Sequence, residues 1–218
     1  MTLRVPFDDW FDAGHDAERI ITAFHEAGHA VVGHVLSETP VAVSIRPTDR
    51  YHGVAIYDPD GPVHLEHPAH EPAVAAAMPC REWIERQMLI TKAGTQAEAL
   101  LHDIPVEQVI PSSAASASDQ RAEQRFEASL ASLGGRAREL LRQAATAPAL
   151  RDDWTQANEL AAHLARGEAS THSRWMSAVT SRLVLDNWPS IEAVATALLQ
   201  EEVISGDRVA ELCTGDKR

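Results

Sequence analysis

Thr22-Ala23-Phe24-His25-Glu26-Ala27-Gly28-His29-Ala30-Val31-Val32-Gly33-His34-Val35-Leu36 is the stretch on which the reading of this chain turns. Residues four apart lie about one turn along a single helix face, so His25 and His29 can direct their ring nitrogens at one ion. Glu26 then stands beside that ion, which completes the HExxH arrangement of two ligands and a base. The flanking residues are apolar or small almost all round: Ile20, Ile21, Ala23, Phe24, Ala27, Gly28, Ala30, Val31, Val32, Gly33, Val35 and Leu36. Such a helix is buried rather than amphipathic. Two imidazoles on a buried helix need partners, because an unpaired buried polar group costs on the order of 1–3 kcal/mol. Gly28 and Gly33 weaken a helix, and their use here implies that another backbone packs close by. The opposing account is a pair of core histidines satisfied by ordinary hydrogen bonds.

Outward from this helix, residues 1–16 read as an N-terminal arm, with Asp16 as a cap for a helix over 17–36 that Pro40 ends. The runs 41–47 and 53–58 are short, β-branched and bounded by Pro, Asp and Gly, so they predict a hairpin or small sheet. A sheet beside a metal helix can hold an extended peptide by strand addition. Five prolines between 58 and 79 exclude long regular structure there, which makes the segment a loop or flap. His64, His67 and His70 recur at intervals of three within it. Clustered histidines can ligate a second metal, although a solvated loop is the preferred reading.

Helical rhythm returns over 80–102, where Trp83, Gln87, Ile90, Gly94, Ala97 and Leu101 share one stripe and Ile84, Met88, Thr91 and Glu98 the next. Ala93 and Gly94 offer a small surface against which the first helix's glycines can nest. A further helix is expected over 119–133, its stripe running Asp119, Ala122, Phe126, Leu130, Leu133, with Gly134-Gly135 closing it. Amphipathic segments follow over 136–147, 149–166, 170–188, 191–203 and 207–213. The expected fold is therefore mostly α (α+β), a helical bundle with a small β-sheet or hairpin beside the metal-binding helix. One domain over 17–213 accommodates it, with a metal-site half over 17–133 and a bundle half over 134–213.

Composition narrows the function. The chain has 218 residues, 44% hydrophobic and 5% aromatic, with a formal charge of −13. That balance opposes nucleic acid and anionic membrane as partners, since both reward clustered Lys and Arg. No apolar run reaches the roughly 18–20 residues of a membrane span, and the N-terminus lacks the basic start and apolar core of a signal peptide. Two distant cysteines, Cys80 and Cys213, make no disulfide framework, and a reducing, cytoplasmic setting is expected.

A catalytic zinc takes three protein ligands and keeps a fourth position for water, so HExxH needs one more ligand. Glu98, beside Ile84, Met88 and Thr91, is one candidate, and Asp119 at the head of an apolar stripe is the other. Glu98 also reads as an exposed helix acid, and Asp119 as part of a capping signal, Ser116-Ala117-Ser118-Asp119. Spacing leaves both open, with Asp119 preferred.

Several blocks, in order, resemble the protease domain of the FtsH-type membrane-anchored AAA zinc metalloproteases. AFHEAGHAVVGHVL resembles that family's metal helix, VAVSIRP and GVAIYD its following strands, and LITKAGTQAEALL its Gly-Gly-Arg-x-Ala-Glu helix. ASASDQRAEQ is similar to the segment carrying the family's third ligand, which implies Asp119, and WPSIEAVATALLQEEVISGDRVAEL resembles its closing helices. Likeness is dense up to residue 133 and thin over 134–187. These 218 residues hold no P-loop, AAA module or membrane segment, so ATP-driven threading does not carry over.

The resulting expectation is a free-standing zinc metalloendopeptidase that hydrolyses peptides or unfolded proteins. One Zn2+ per chain would sit on His25, His29 and Asp119, with Glu26 as general base. Glu98 is then an outer acceptor for a ligating histidine. His34 and His52 are the only candidates for an oxyanion donor, and spacing supports neither. A homo-oligomer, or a separate ATPase in trans, is the expected kind of partner. The alternative is a catalytically silent, zinc-stabilised module that binds other proteins. Glu26 opposes it, because a structural site has no use for a base. A regulator paired with a DNA-binding unit lacks the basic helix it would need.

Overall fold

The computed structural model describes residues 17–48, 52–57, 81–102, 133–146, 153–164 and 169–215. The arm, the 58–79 loop with His64, His67 and His70, and the expected helix from Asp119 to 132 lie outside them. Seven helices and three strands are described: α1 (Ala17–Val35), β1 (Ala42–Ser44), β2 (Val54–Ile56), α2 (Arg81–His102), α3 (Gly135–Thr146), α4 (Asp153–Leu164), α5 (Ala169–Asp186), α6 (Trp188–Glu201), β3 (Val203–Ser205) and α7 (Gly206–Gly215). The molecule is mostly helical with one small antiparallel sheet, as the sequence leads one to expect.

α1 is the central helix. Ile20, Ala23, Phe24, Ala27, Ala30, Val31 and Val32 are all buried, packed between α2 on one side and α6 on the other. Phe24 stacks on Trp188 of α6 with ring centroids 5.3 Å apart. Gly28 meets α2: a Cβ there would lie 2.6 Å from the Ala93 carbonyl oxygen and 2.9 Å from Ala97 Cβ. The small-residue contact read from Ala93 and Gly28 is therefore real. The helix ends before Pro40 in a Schellman motif, with Ser37 at φ 65° between Ser37 N–H to His34 O (3.0 Å) and Glu38 N–H to Gly33 O (2.7 Å).

The sheet has order β2-β1-β3, both pairs antiparallel, with Val43 opposite Ala55 on one side and Ile204 on the other. The hairpin was expected; β3 was not, because Val203 reads as the last residue of an amphipathic segment over 191–203. That helix instead stops at Glu201. Glu202 turns to φ 63°, sends its N–H back to Leu198 O at 2.8 Å, and releases Val203, Ile204 and Ser205 to pair with β1. Two further boundaries differ from expectation. Gly135 opens α3, where Gly134-Gly135 was read as a helix end. The segment over 170–188 breaks at Asn187, because Pro189 in the first turn of α6 has no N–H with which to continue α5. No described helix is long and apolar enough to cross a membrane.

Candidate metal centre

α1 presents His25 and His29 on one face, as their spacing requires, toward α2 and α4. Their Nε2 atoms stand 3.1 Å apart. The first residue of α4 supplies the third group: Asp153 Oδ2 is 3.0 Å from His25 Nε2 and 3.2 Å from His29 Nε2. α4 reaches this position because Ala157 and Ala161, one and two turns on, are fully buried small residues that let it lie close to its neighbours. Among the described residues, His25, His29 and Asp153 are the group able to hold a metal ion.

The other ring nitrogens settle the tautomers. His29 Nδ1 lies 2.8 Å from the Ile90 carbonyl oxygen, a pure acceptor, so Nδ1 carries the proton and donates. His25 Nδ1 faces Glu98 Oε2 at 3.3 Å. Both Nε2 atoms are thereby left with lone pairs, aimed together at a carboxylate oxygen. Asp153 Oδ2 is buried, and its near partners are these two ring nitrogens. With both rings neutral, three lone-pair donors meet at one point, a nest for a cation.

The dimensions fit. A tetrahedral ion with bonds of about 2.0–2.1 Å has ligand-to-ligand edges of about 3.3 Å, close to the 3.0, 3.1 and 3.2 Å edges here. Two imidazoles and one carboxylate suit a first-row transition metal rather than Ca2+ or Mg2+, which prefer all-oxygen sets. Space for the ion comes from Gly94 of α2. A Cβ on that residue would lie 2.7 Å from His25 Nε2 and nearer still to His29 Nε2.

Electrostatics point the same way. Burial pushes both imidazoles toward the neutral form, but the Asp153 and Glu26 carboxylates together, with the Ile90 carbonyl at His29, outweigh it, raising His25 and taking His29 to about 9. Burial disfavours the Asp153 anion as well, yet the two histidines hold it well below the usual carboxylate range. Glu26 is only 5% exposed, and burial raises its pKa against the pull of His29 and His25. With Glu26, Asp153 and Glu98 around two imidazoles, the site demands positive charge. A proton on the imidazoles meets that demand in the free chain, and a divalent ion could meet it in its place.

His25, Glu26 and His29 thus occupy the places their motif implies, and Glu98 stands behind His25. Asp119 lies outside the described residues, so Asp153 is the acid seen to meet the histidines. The same signal marks both aspartates: Asp153 heads a stripe of Ala157, Leu160 and Ala161, inside a segment read as one helix over 149–166. His34 pairs with Thr39 at 2.9 Å and His52 with Glu18 at 3.0 Å on the surface, and neither joins the ligand group. Comparison with known proteins finds no matching family model and no matching curated protein.

Proposed function

We propose that this chain is a zinc metallopeptidase acting on peptides or unfolded proteins. One observation carries the reading: the Nε2 atoms of His25 and His29 and Oδ2 of Asp153 converge within 3.2 Å, with a buried Glu26 carboxylate on the adjoining position of α1. The resemblance of the HExxH helix, the two strands after it and α2 to FtsH-type protease domains supports it.

His25, His29 and Asp153 would hold the ion, the Ile90 carbonyl and Glu98 keeping the imidazoles in orientation. Bound zinc supplies Lewis acidity, bringing a coordinated water to a pKa near 7 and polarising a carbonyl. Glu26 takes the proton of the attacking water and returns it to the departing amine. Burial suits Glu26 to this, since a raised pKa makes its carboxylate the stronger proton acceptor. The side chains of His25, His29 and Asp153 keep 12–24% of their surface, so solvent and a substrate could reach an ion held there.

Two histidines and a carboxylate also bind Fe(II) in oxygenases. The neighbouring buried carboxylate favours hydrolysis, because a base beside the ion is what water activation needs. The test is elemental analysis of the purified chain, followed by casein hydrolysis before and after Glu26→Gln. One zinc per chain, with hydrolysis abolished and zinc retained in the variant, is expected. Iron instead of zinc, or unchanged turnover in zinc-loaded Glu26→Gln, would overturn the proposal.

A further inference from the structure

Glu26 has three rotatable side-chain bonds, and a base works only where its oxygen meets the water. Something must choose one orientation, and the outer strand β2 with its flanks touches α1 at every second residue. Gly53 lies over the Glu26 side chain: a Cβ there would sit 2.6 Å from Glu26 Cγ, 2.8 Å from Glu26 Oε1 and 2.7 Å from Thr22 Cγ2. Its φ lies outside the left-handed range, so space, not backbone conformation, calls for glycine. The Ala55 backbone N–H donates to the Glu26 carboxylate. Tyr57, two residues on, donates its hydroxyl to the His29 carbonyl at 2.8 Å and packs over Gly33. Residues 53, 55 and 57 share one face by the two-residue period of a strand.

We propose that β2 is a positioning rail for the base: Gly53 and the Ala55 N–H hold the Glu26 carboxylate in a single orientation, and Tyr57 locks the strand's register against α1. The chemistry is consistent. A buried carboxylate with no donor would be costly, and the Ala55 amide supplies one. β2 is an edge strand; the bonds Ile45 N–H to Glu202 O and Gly206 N–H to Val41 O direct the Val41 carbonyl, Val43 and Ile45 toward β3, so Ser44 and Ala42 face Val54 and Ile56 across the ladder and the Ala55 N–H is left outside it. Gly53, Ala55 and Tyr57 are positioning residues, acting on substrate only through Glu26 and the course of α1.

The kinetic part of this inference rests on the peptidase reading; the amide part does not. In Gly53→Ala the added methyl displaces Glu26 Cγ. The variant should bind zinc as the parent does, with kcat on a peptide substrate lower by about 100-fold, the cost of a misplacement near 1 Å, and KM little changed. A merely structural role would instead weaken zinc binding and folding together. Independently, hydrogen exchange followed by 15N NMR compares the parent with Glu26→Ala. Exchange at the Ala55 amide should accelerate at least about tenfold while the Val54 and Ile56 amides keep their protection. Unchanged exchange at Ala55, or full kcat in a folded Gly53→Ala, overturns the rail. A parent without peptidase activity refutes the peptidase reading, and the amide measurement still decides the positioning.

Discussion

Gly94→Ala separates the proposed metal site from the fold that carries it. In the middle of α2, alanine is favoured over glycine by about 1 kcal/mol through helix propensity. The same methyl enters the space between the histidines, 2.7 Å from His25 Nε2, 2.8 Å from His25 Cδ2, and closer still to His29 Nε2. Ordinary carbon contacts begin near 3.5 Å, so the His25 ring must retreat by roughly 0.8 Å and the His29 ring by more. Metal–ligand distances tolerate about 0.2 Å, and neither ring is free to follow. His29 is tied through Nδ1 to the Ile90 carbonyl and His25 faces Glu98. Loss of an outer partner alone costs 10- to 100-fold in metal affinity. Displacing the ligating nitrogens themselves should cost at least about 100-fold. Competitive chelator titration measures the affinity, and circular dichroism with thermal unfolding of the chelated proteins shows that the variant keeps its fold. A folded Gly94→Ala that binds zinc as tightly as the parent would refute the placement of the ion between His25, His29 and Asp153.

Asp153→Asn should weaken zinc binding by more than the 10- to 100-fold expected of Glu98→Gln, and by more than Asp119→Asn. Chelator titration of the three variants ranks them, and the ligand assignment fails if Asp119→Asn strips the ion while Asp153→Asn retains it. Cys213 is half-buried, and burial pushes its thiol up to about 11. Since the thiolate is the nucleophile, iodoacetamide at pH 8 should modify it at least about tenfold more slowly than an ordinary thiol, with the rate still climbing between pH 9 and 11. Mass spectrometry of Cys80→Ser isolates the signal, and rapid alkylation at pH 8 contradicts the burial of Cys213.

How much of this could be read in advance depends on how far apart the cooperating residues lie. His25, Glu26 and His29 are a local pattern: helix periodicity alone sets two nitrogens on one face and a carboxylate beside them, in a run whose apolar character demands burial. α1 and α2 were likewise legible, as was the small-residue contact between Gly28 and Ala93. β3 was not. Val203, Ile204 and Ser205 are too few to show a period of their own, and they become a strand because Glu202 turns the chain so that β1 can pair with them. The acid that meets the histidines in the structure is the same kind of case. Asp119 and Asp153 both head apolar stripes, and one-dimensional periodicity has no means of ranking them. Asp153 meets the histidines because α4, with Ala157 and Ala161 on its inner face, docks against α2 with its first residue over His25 and His29. Spacing along one helix determines two corners of a candidate metal site; the acid set beside them comes from another helix, and only tertiary packing brings it there.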